Sequence, residues 1–395
     1  MSNINVVLGV SGGIAVYKAL DVVSKLKKHD INVDVIMTKS ACEFVTPLSF
    51  QSLSQNMVVK DMFEEPKAFE IQHISLAKKA DLLVVVPATA NIIGKVANGI
   101  ADDMLSTTIM ATKAKVIFAP AMNTNMYTNP ITQENIAKLK KLGYGFINPD
   151  SGRLACGDIG EGKLADTEII VDRILSELYH PKDMIGKKVL VTAGPTRAAL
   201  DPVRFITNHS TGKMGYAIAM EARDRGAEVV LVSGPTELKS PEGIKVIKVE
   251  TNEEMFDAVK AEYNSCDIVV KSAAVSDYKP KDYSKEKIKK GEGNLIVEFT
   301  RDNDILKYLG DNKKQQILIG FAAESNDVID NAHKKLSKKN LDYIVANNIT
   351  ESDAGFGTDT NRVTIIRRDG AIKSLDSMSK RAVGCELFNM ILNNK

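Results

Sequence analysis

The sequence contains no tryptophan, and aromatic residues make up only 6% of its 395 residues. Its formal net charge at pH 7 is only +2. Proteins that bind nucleic acid broadly need a basic face, or aromatic side chains on which bases can stack. Because the sequence has little of either, we do not expect nucleic acid to be a partner.

Long apolar runs and paired cysteines are also absent from the sequence. No apolar run approaches the roughly 20 residues of a membrane-spanning helix, and the first one, at residues 4–10, has no basic leader or cleavage pattern. We therefore expect a cytoplasmic protein without a membrane partner. The four cysteines, Cys42, Cys156, Cys266 and Cys385, form no C-x-x-C pair. This spacing indicates neither a zinc site nor a disulfide framework, but it leaves a catalytic cysteine open.

Short apolar runs alternate with segments of helical periodicity, which is typical of parallel sheets covered on both faces. The runs form two series, at residues 4–8, 33–37, 82–86 and 116–119, and then at 188–191, 228–232, 245–249, 267–270, 316–320 and 342–346. A chain of this length exceeds what one core usually supports. The pattern predicts an α/β fold with two doubly wound parallel-sheet domains, at residues 1–180 and 186–395, joined near His180 and Pro181.

The first predicted strand leads into a glycine-rich segment that opens a helix, a setting that suits a bound phosphate. Its spacing is not G-x-G-x-x-G, and the second strand ends in Thr38-Lys39-Ser40 instead of an acid that would bind a ribose. FMN therefore fits better than NAD. The predicted cofactor contacts are Ser11, Gly12, Gly13, Ile14, Thr38, Ala88, Thr89 and Asn91. Taken singly, Thr89 and Asn91 are equally well interpreted as helix caps.

A second site is predicted at residues 192–215, where a strand leads into a long polar loop and then a helix from Lys213. Cationic and amide side chains in this loop favour an anion site over an ordinary βα connection. Residues 148–166 are rich in glycine and predict an active-site flap. Residues 279–290 hold six lysines, which indicates either a solvated surface or a segment that closes over a triphosphate.

Several motifs make the chain recognisable. The first half resembles the flavin-dependent cysteine decarboxylases through Gly-Gly-Ile-Ala-x-Tyr-Lys at 12–18, Pro-Ala-Thr-Ala-Asn at 87–91, Pro-Ala-Met-Asn at 120–123 and Ala-Cys-Gly-Asp at 155–158. The second half resembles phosphopantothenate-cysteine ligases through residues 192–215, Ala-Ala-Val-Ser-Asp-Tyr at 273–278, Glu-Lys-Ile-Lys-Lys at 286–290 and Gly-Phe-Ala-Ala-Glu at 320–324. Together they cover nearly the whole chain, in the order found in bacterial bifunctional proteins of coenzyme A biosynthesis.

For the first half, the resemblance implies a flavodoxin-like flavoprotein that uses FMN to convert 4'-phosphopantothenoylcysteine into 4'-phosphopantetheine. It implies that His73 acts as a base during thiol oxidation, a role that a neutral imidazole suits. It also implies that Asn123 holds the substrate carboxylate and that Cys156 protonates the ene-thiolate. Without the resemblance, a structural histidine and a buried, inert cysteine would be the better interpretations.

For the second half, the resemblance implies a Rossmann-like ligase in which CTP activates 4'-phosphopantothenate as an acyl-cytidylate that the cysteine amine then attacks. Asn208 would stabilise this intermediate, and Arg204 and Lys287 would serve the two half-reactions. The implied CTP contacts are Asp277, Asn303, Asp304, Ile305, Leu306, Phe321, Lys335 and Lys339. Mg²⁺ should accompany the triphosphate, with its protein ligands unassigned. By the same resemblance, we expect a homo-oligomer with trimeric decarboxylase and dimeric ligase contacts.

Two other functions compete with this one. A non-catalytic flavin-binding regulatory subunit would keep its role when Cys156 is replaced by serine, whereas the enzyme would stop forming product. An NAD(P)-dependent oxidoreductase would be colourless and would bind NADH, whereas bound FMN makes a protein yellow.

Overall fold

The computed structural model describes residues 4–63, 71–155, 157–290, 294–324, 328–348, 355 and 357–393. By its internal contacts the chain divides into two compact units, Met1–Tyr179 and His180–Lys395, which we call the first unit and the second unit. Each is built on a mainly parallel sheet with helices on both faces, and the predicted α/β fold class is confirmed. No helix in the described ranges is long and apolar enough to cross a bilayer.

The first unit contains a five-stranded sheet and a separate hairpin. Its described elements are β1 (Asn5–Val10), α1 (Val16–Lys28), β2 (Asn32–Met37), α2 (Lys39–Cys42), α3 (Pro47–Ser54), α4 (Gln72–Lys79), β3 (Leu82–Ala88), α5 (Ala90–Ala97), α6 (Met104–Ala111), β4 (Lys115–Pro120), α7 (Thr124–Tyr127), α8 (Pro130–Lys141), β5 (Gly145–Phe146), β6 (Asp150–Arg153), β7 (Ile159–Lys163) and α9 (Thr167–Leu178).

The sheet of the first unit has the strand order β2-β1-β3-β4-β5, with all strands parallel. This is the flavodoxin-like doubly wound order, in which ligands bind outside the carboxyl ends of the strands. All seven residues of β3 are buried, because helices cover both faces of the sheet. Helix α1 packs on one face through Val16, Ala19, Val23 and Leu26, which recur at the helical period.

The second unit contains an eight-stranded sheet and two short hairpins. Its described elements are β8 (Lys188–Ala193), β9 (Arg197–Ala199), β10 (Phe205–Thr207), α10 (Lys213–Asp224), β11 (Glu228–Ser233), β12 (Lys245–Lys248), α11 (Asn252–Tyr263), β13 (Ile268–Lys271), β14 (Tyr278–Pro280), β15 (Phe299–Arg301), α12 (Ile305–Asp311), β16 (Ile317–Glu324), α13 (Val328–Lys338), β17 (Tyr343–Asn348), β18 (Thr360–Arg367), β19 (Ile372–Ser379) and α14 (Lys380–Leu392).

The large sheet has the order β12-β11-β8-β13-β16-β17-β18-β19. Its first six strands follow the Rossmann order 3-2-1-4-5-6 and are parallel. The last two strands, β18 and β19, are antiparallel additions that the apolar runs did not predict. The order reverses between β8 and β13, so the crevice between their carboxyl ends is the expected ligand position.

Candidate active sites

The first unit contains a cavity of about 1230 Å³ at the carboxyl ends of β1, β2, β3 and β4, which we call the first cavity. Eight of the predicted site residues line it: Ser11, Gly12, Gly13, Ile14, Thr38, Thr89, Asn91 and Asn123. Ala88 does not, because it is fully buried within β3. The polar clusters that follow successive strands in the sequence therefore meet at one edge of the sheet.

The Ser11 hydroxyl ties the ends of β1 and β3 together. Its Oγ donates to the Pro87 carbonyl at 2.8 Å and accepts from the Thr89 backbone N–H at 3.1 Å. The two hydroxyl oxygens of Ser11 and Thr89 are also 3.1 Å apart. Thr89 is the N-cap residue of α5, but its side chain makes no capping hydrogen bond to the helix.

The loop after β1 passes very close to α2. A Cβ atom added to Gly12 would lie 2.3 Å from Cβ of Ser40 and 2.6 Å from its carbonyl carbon, so only glycine fits there. Thr38 caps α2 by accepting from the Ala41 N–H at 3.2 Å. A hydroxyl that accepts one hydrogen bond still has its own proton to donate, which suits Thr38 to a phosphate oxygen.

The glycine-rich tract forms the antiparallel hairpin of β6 and β7, which packs against the loop after β4. The Met122 N–H donates to the Gly162 carbonyl at 2.9 Å. Asn123 caps α7 by accepting from the Asn125 N–H at 2.9 Å, and its amide donates to Asp158 in the hairpin turn at 2.9 Å. Cys156 lies outside the described residues.

One lysine and two aspartates of the first cavity form ion pairs with one another. Lys95 bonds to Asp102 at 2.7 Å and to Asp103 at 2.8 Å, and all three line the cavity. Burial opposes the charge of Asp103, but hydrogen bonds from Lys95 and from the Ser106 backbone outweigh this effect and hold the Asp103 pKa below its usual value.

His73 is half-buried near the start of α4 and does not line the first cavity.

The second unit contains a smaller cavity, of about 350 Å³, at the carboxyl ends of β8, β13 and β16, which we call the second cavity. Four predicted residues line it: Asn208, Asp277, Phe321 and Lys335. The Asn208 amide donates to the Ala274 carbonyl at 2.9 Å, which connects the polar loop to the segment after β13.

Three glycines shape the second cavity. Gly194 and Gly212 both have positive φ angles, of 77° and 80°. A Cβ on Gly212 would lie 2.7 Å from the Thr236 methyl, and one on Gly215 would lie 2.6 Å from the Ala193 Cβ. These are the tight-turn and helix-packing roles of a dinucleotide-type fingerprint. The sequence hides that pattern, because the hairpin of β9 and β10 separates the first glycine from the other two.

Lysines dominate the charge of the second cavity. Lys335 donates to the Phe321 carbonyl at 3.0 Å, and Lys213 forms an ion pair with Asp359 at 2.7 Å. Lys380, at the start of α14, also lines the cavity and is only 5% exposed. Desolvation, and then repulsion from Lys213, hold the Lys380 pKa below its usual value.

Lys271 is a lining residue that the sequence analysis did not identify. It is the last residue of β13, and its Nζ donates to the Ala273 carbonyl at 2.6 Å. Burial, followed by repulsion from Lys335, lowers its pKa to about 7. The sequence did contain a sign of this residue, because Lys271 ends an otherwise apolar strand and the carboxyl ends of parallel strands carry ligand sites.

The predicted CTP contacts at 303–306 lie at the start of α12 and do not line the second cavity. Asp304 caps the helix by accepting from the Lys307 N–H at 2.9 Å and forms an ion pair with Lys339. Ile305 and Leu306 are only 2% and 5% exposed, and their side chains belong to the core.

The Asn303 carbonyl accepts from the Asn252 amide at 2.9 Å. Lys339 lies one residue beyond α13, although its N–H still donates to the Lys335 carbonyl at 3.0 Å in helical fashion. Neither Asn303 nor Lys339 is part of the second cavity's lining.

Arg204 and Lys287 are exposed and lie outside the second cavity, but one buried carboxylate connects their segments. Asp201 accepts from the backbone N–H groups of Val203 and Arg204, both at 2.8 Å, and from the N–H of Ile288 at 3.1 Å. Desolvation opposes its charge, but these hydrogen bonds outweigh it and lower the Asp201 pKa. Asp201 thus fixes the lysine-rich tract against the turn that carries Arg204.

No metal site is apparent in the described parts of either unit, since no group of three or more His, Cys, Asp or Glu side chains there could hold an ion.

Comparison with known proteins matches both units. The family described as Flavoprotein matches residues 1–179, and the family described as DNA/pantothenate metabolism flavoprotein C-terminal domain matches residues 184–394. The chain is 52% identical to the coenzyme A biosynthesis bifunctional protein CoaBC of Bacillus subtilis (strain 168), covering 99% of this chain and 97% of that protein. It is 43% identical to the protein of the same name from Borreliella burgdorferi, covering 98% and 99%.

Among solved structures, the FMN-dependent cysteine decarboxylase SpaF is similar to part of the chain. It is 28% identical, with a TM-score of 0.40, and the match covers 45% of this chain and 98% of that one.

Proposed function

The chain belongs to the family of bifunctional coenzyme A biosynthesis proteins, and from this premise we propose that it makes 4'-phosphopantetheine in two steps, one at each cavity. It is an enzyme with phosphopantothenate-cysteine ligase and phosphopantothenoylcysteine decarboxylase activities, and it uses FMN. The observation that carries the assignment is that each unit has its own cavity at the carboxyl edge of a doubly wound sheet.

The first cavity fits FMN in size and in its polar groups. Its volume suits a mononucleotide, and the hydroxyls of Ser11, Thr38 and Thr89 converge where the β1 loop leads into α1. We assign the Thr38 and Thr89 hydroxyls and the Gly12 and Gly13 backbone to the cofactor phosphate, with Ser11 holding the Thr89 segment in place. Bound FMN supplies the redox chemistry, by accepting the electrons of the substrate thiol and returning them after CO2 is lost.

The protein side chains position the substrate of the first reaction and move its protons. In this proposal the Asn123 amide, which lines the first cavity, binds the carboxylate that will leave as CO2. His73 takes the thiol proton, and Cys156 returns a proton to the ene-thiolate. The neighbours of Cys156 in the hairpin, Leu154 and Ala155, line the first cavity, which supports its assignment.

His73 does not line the cavity of its own chain among the residues described. We therefore infer that the proposed homo-oligomer, with trimeric contacts between first units, brings His73 of one subunit to the first cavity of the next. This arrangement predicts that His73→Asn and Asn123→Ala variants, each inactive alone as decarboxylases, regain part of the activity when they are co-expressed. A mixed oligomer as inactive as its parents would show that His73 acts within its own chain or has no catalytic role.

In the second cavity we propose that CTP and Mg²⁺ activate 4'-phosphopantothenate. The carboxylate oxygen attacks the α-phosphorus of CTP and pyrophosphate leaves, which gives the acyl-cytidylate. The cysteine amine then attacks the acyl carbon, CMP leaves, and the amine loses a proton. Asn208 lies where its amide could hold the acyl-cytidylate, and the cavity lysines offset the phosphate charge.

Arg204 and Lys287 are proposed to close over this site, since Asp201 holds their segments together. The contacts proposed for CTP remain Asp277, Phe321 and Lys335, which line the cavity, and Asn303, Asp304, Ile305, Leu306 and Lys339, which do not. We also propose that the second units of the homo-oligomer form dimeric contacts and that the protein is cytoplasmic.

The test is mass spectrometry of the products formed by the purified, yellow protein from 4'-phosphopantothenate, cysteine, CTP and Mg²⁺. We expect 4'-phosphopantetheine, with CMP and pyrophosphate. Formation of 4'-phosphopantothenoylcysteine alone would contradict the assignment of the first cavity. If neither product forms with CTP but both form with ATP, the choice of nucleotide is wrong while the two reactions stand.

A further inference from the structure

Lys271 lies at the carboxyl end of β13, beside β8, where the strand order in the sheet of the second unit reverses. It pairs with Thr192 of β8 on one side and with Gly320 of β16 on the other. β8 and β13 are the first and fourth strands of the Rossmann order, and the crevice between their carboxyl ends is where such sheets bind ligands. Its side chain lines the second cavity, as do Gly194 and Gly212.

The charged groups around Lys271 come from several elements. Asp277 follows β13 in the chain, Asp304 caps α12, and Lys335 and Lys339 come from α13 and the residue after it. Lys213 of α10 and Lys380 of α14 line the same cavity. One of the two carboxylates, that of Asp304, is already paired with Lys339. An additional ammonium at this position is therefore poorly compensated until an anion arrives.

Resting on the ligase function proposed above, we propose that Lys271 is a phosphate ligand of the second cavity and that any Lys271 side chain without its proton takes one up from solvent as the triphosphate enters. The proton goes to the Nζ lone pair, and the resulting ammonium donates charge-assisted hydrogen bonds to phosphate oxygens. No covalent bond forms or breaks. The proton returns to solvent when the phosphates leave.

The lowered pKa of Lys271, about 7, agrees with this geometry, since burial and the neighbouring lysines disfavour the ammonium in the absence of an anion. A triphosphate reverses the balance of charge and raises that pKa. The sign of the pH dependence follows. Below pH 7 the ammonium is already present, whereas above pH 7 binding must recruit a proton, so the affinity for CTP weakens as the pH rises.

Calorimetric titration of the full-length protein with CTP and Mg²⁺ at pH 8.0, in two buffers that differ in ionisation enthalpy, counts the protons taken up. At this pH a group of pKa 7 is about nine-tenths neutral, and a terminal phosphate, with a pKa of about 6, is already ionised. We expect an uptake of about 0.9 proton per CTP bound. In Lys271→Met the uptake should fall close to zero, and CTP should bind roughly tenfold more weakly.

Lys245→Met is the matched control. Lys245 is the first residue of β12, at the amino end of an edge strand of the same sheet. It forms an ion pair with Glu262, which also forms an ion pair with Lys188. This variant should keep the proton uptake and the CTP affinity of the original protein. An equal loss of uptake in both lysine variants would overturn the proposal.

The proton count of the unaltered protein decides the question even if Lys271→Met folds poorly, because a count near zero overturns the role of Lys271. Inorganic tripolyphosphate separates this proposal from the choice of nucleotide. If tripolyphosphate binds with proton uptake and CTP does not bind, Lys271 is a phosphate ligand but the CTP assignment fails. If both bind without proton uptake, the Lys271 proposal fails and the ligase stands. Binding of neither anion overturns both.

Discussion

Each cavity lies at the carboxyl edge of a similarly wound sheet, yet the two differ in size and in the state of their lysines. The first cavity is lined by five lysines and one arginine together with three aspartates, and Lys95 among them is paired with Asp102 and Asp103. The second cavity is smaller and is lined by four lysines, at positions 213, 271, 335 and 380. The first cavity therefore has room for a larger ligand, whereas the second places four ammonium groups around a small volume, which suits a polyanion.

This difference separates what the fold provides from what the side chains provide. The carboxyl edge of each sheet supplies a crevice, exposed backbone N–H groups and a helix N-terminus, which favour a phosphate in both units. The side chains that follow the strands then set the charge. In the second cavity, desolvation and then repulsion from neighbouring lysines lower the pKa of Lys271 and of Lys380, whereas in the first cavity desolvation of Lys95 is outweighed by its hydrogen bonds to Asp102 and Asp103, which raise its pKa.

The largest expected effect is a complete separation of the two activities. Asn123→Ala should lower decarboxylation of supplied 4'-phosphopantothenoylcysteine by about 100-fold or more and leave the ligase within about twofold. Asn208→Ala should do the reverse, because each amide lines only its own cavity. The assays are CO2 release and pyrophosphate release from the same preparation. Loss of both activities in either variant would mean that the cavities are not independent.

A smaller effect is expected on flavin content alone. Gly12→Ala places a Cβ against the backbone of Ser40, so the β1 loop must shift away from its position beside the cavity. We expect the purified variant to lose most of its flavin absorbance per chain while its ligase rate is unchanged. Gly94→Ala is the control, because its added Cβ has no neighbour closer than 3.8 Å and alanine favours the helix by about 1 kcal/mol. Full flavin content in Gly12→Ala would remove the loop from the phosphate site.

The smallest effect concerns the link between the hairpin turn and the lysine-rich tract. Asp201→Asn should slow the ligase several-fold and leave decarboxylation unchanged, since an amide replaces a carboxylate that accepts three backbone hydrogen bonds. The Asp201 pKa is lowered from its usual 3.8, so its charge stabilises the folded unit at neutral pH and this contribution is lost as the pH falls through the lowered pKa.

Urea unfolding of the second unit at several pH values tests this last expectation. The original protein should exceed Asp201→Asn in stability at pH 7, and the gap should shrink below about pH 4. A gap that stays constant with pH would show that the carboxylate charge of Asp201 does not matter.

The fold was largely predictable because its evidence is local. All ten apolar runs are strands, although their ends differ by up to four residues, and helix α10 begins at Lys213 as expected. The short hairpins were missed for a physical reason. Phe205, Ile206 and Thr207 in β10 are all exposed, so the strand has no alternation between a buried and a solvated face. The lysine-rich tract likewise gave no sign that it begins in β14.

The site was predictable where side chains follow strands directly, as Thr38, Thr89 and Asn123 do. It was not predictable where a residue acts through distant neighbours. Asp201 looks like an ordinary turn residue until Ile288, 87 positions later, donates to it. The placement of His73 in an active site still rests on resemblance alone.

By itself, the sequence determined the α/β class, the two series of strands and the family, because apolar periodicity and motif order are properties of neighbouring residues. Only the tertiary structure decided which side chains share a cavity and in what state of charge. Lys271 shows the reason most clearly. Its protonation depends on Lys335 and Asp304, which lie tens of residues away in the chain, and burial and electrostatic interaction depend on distance in space.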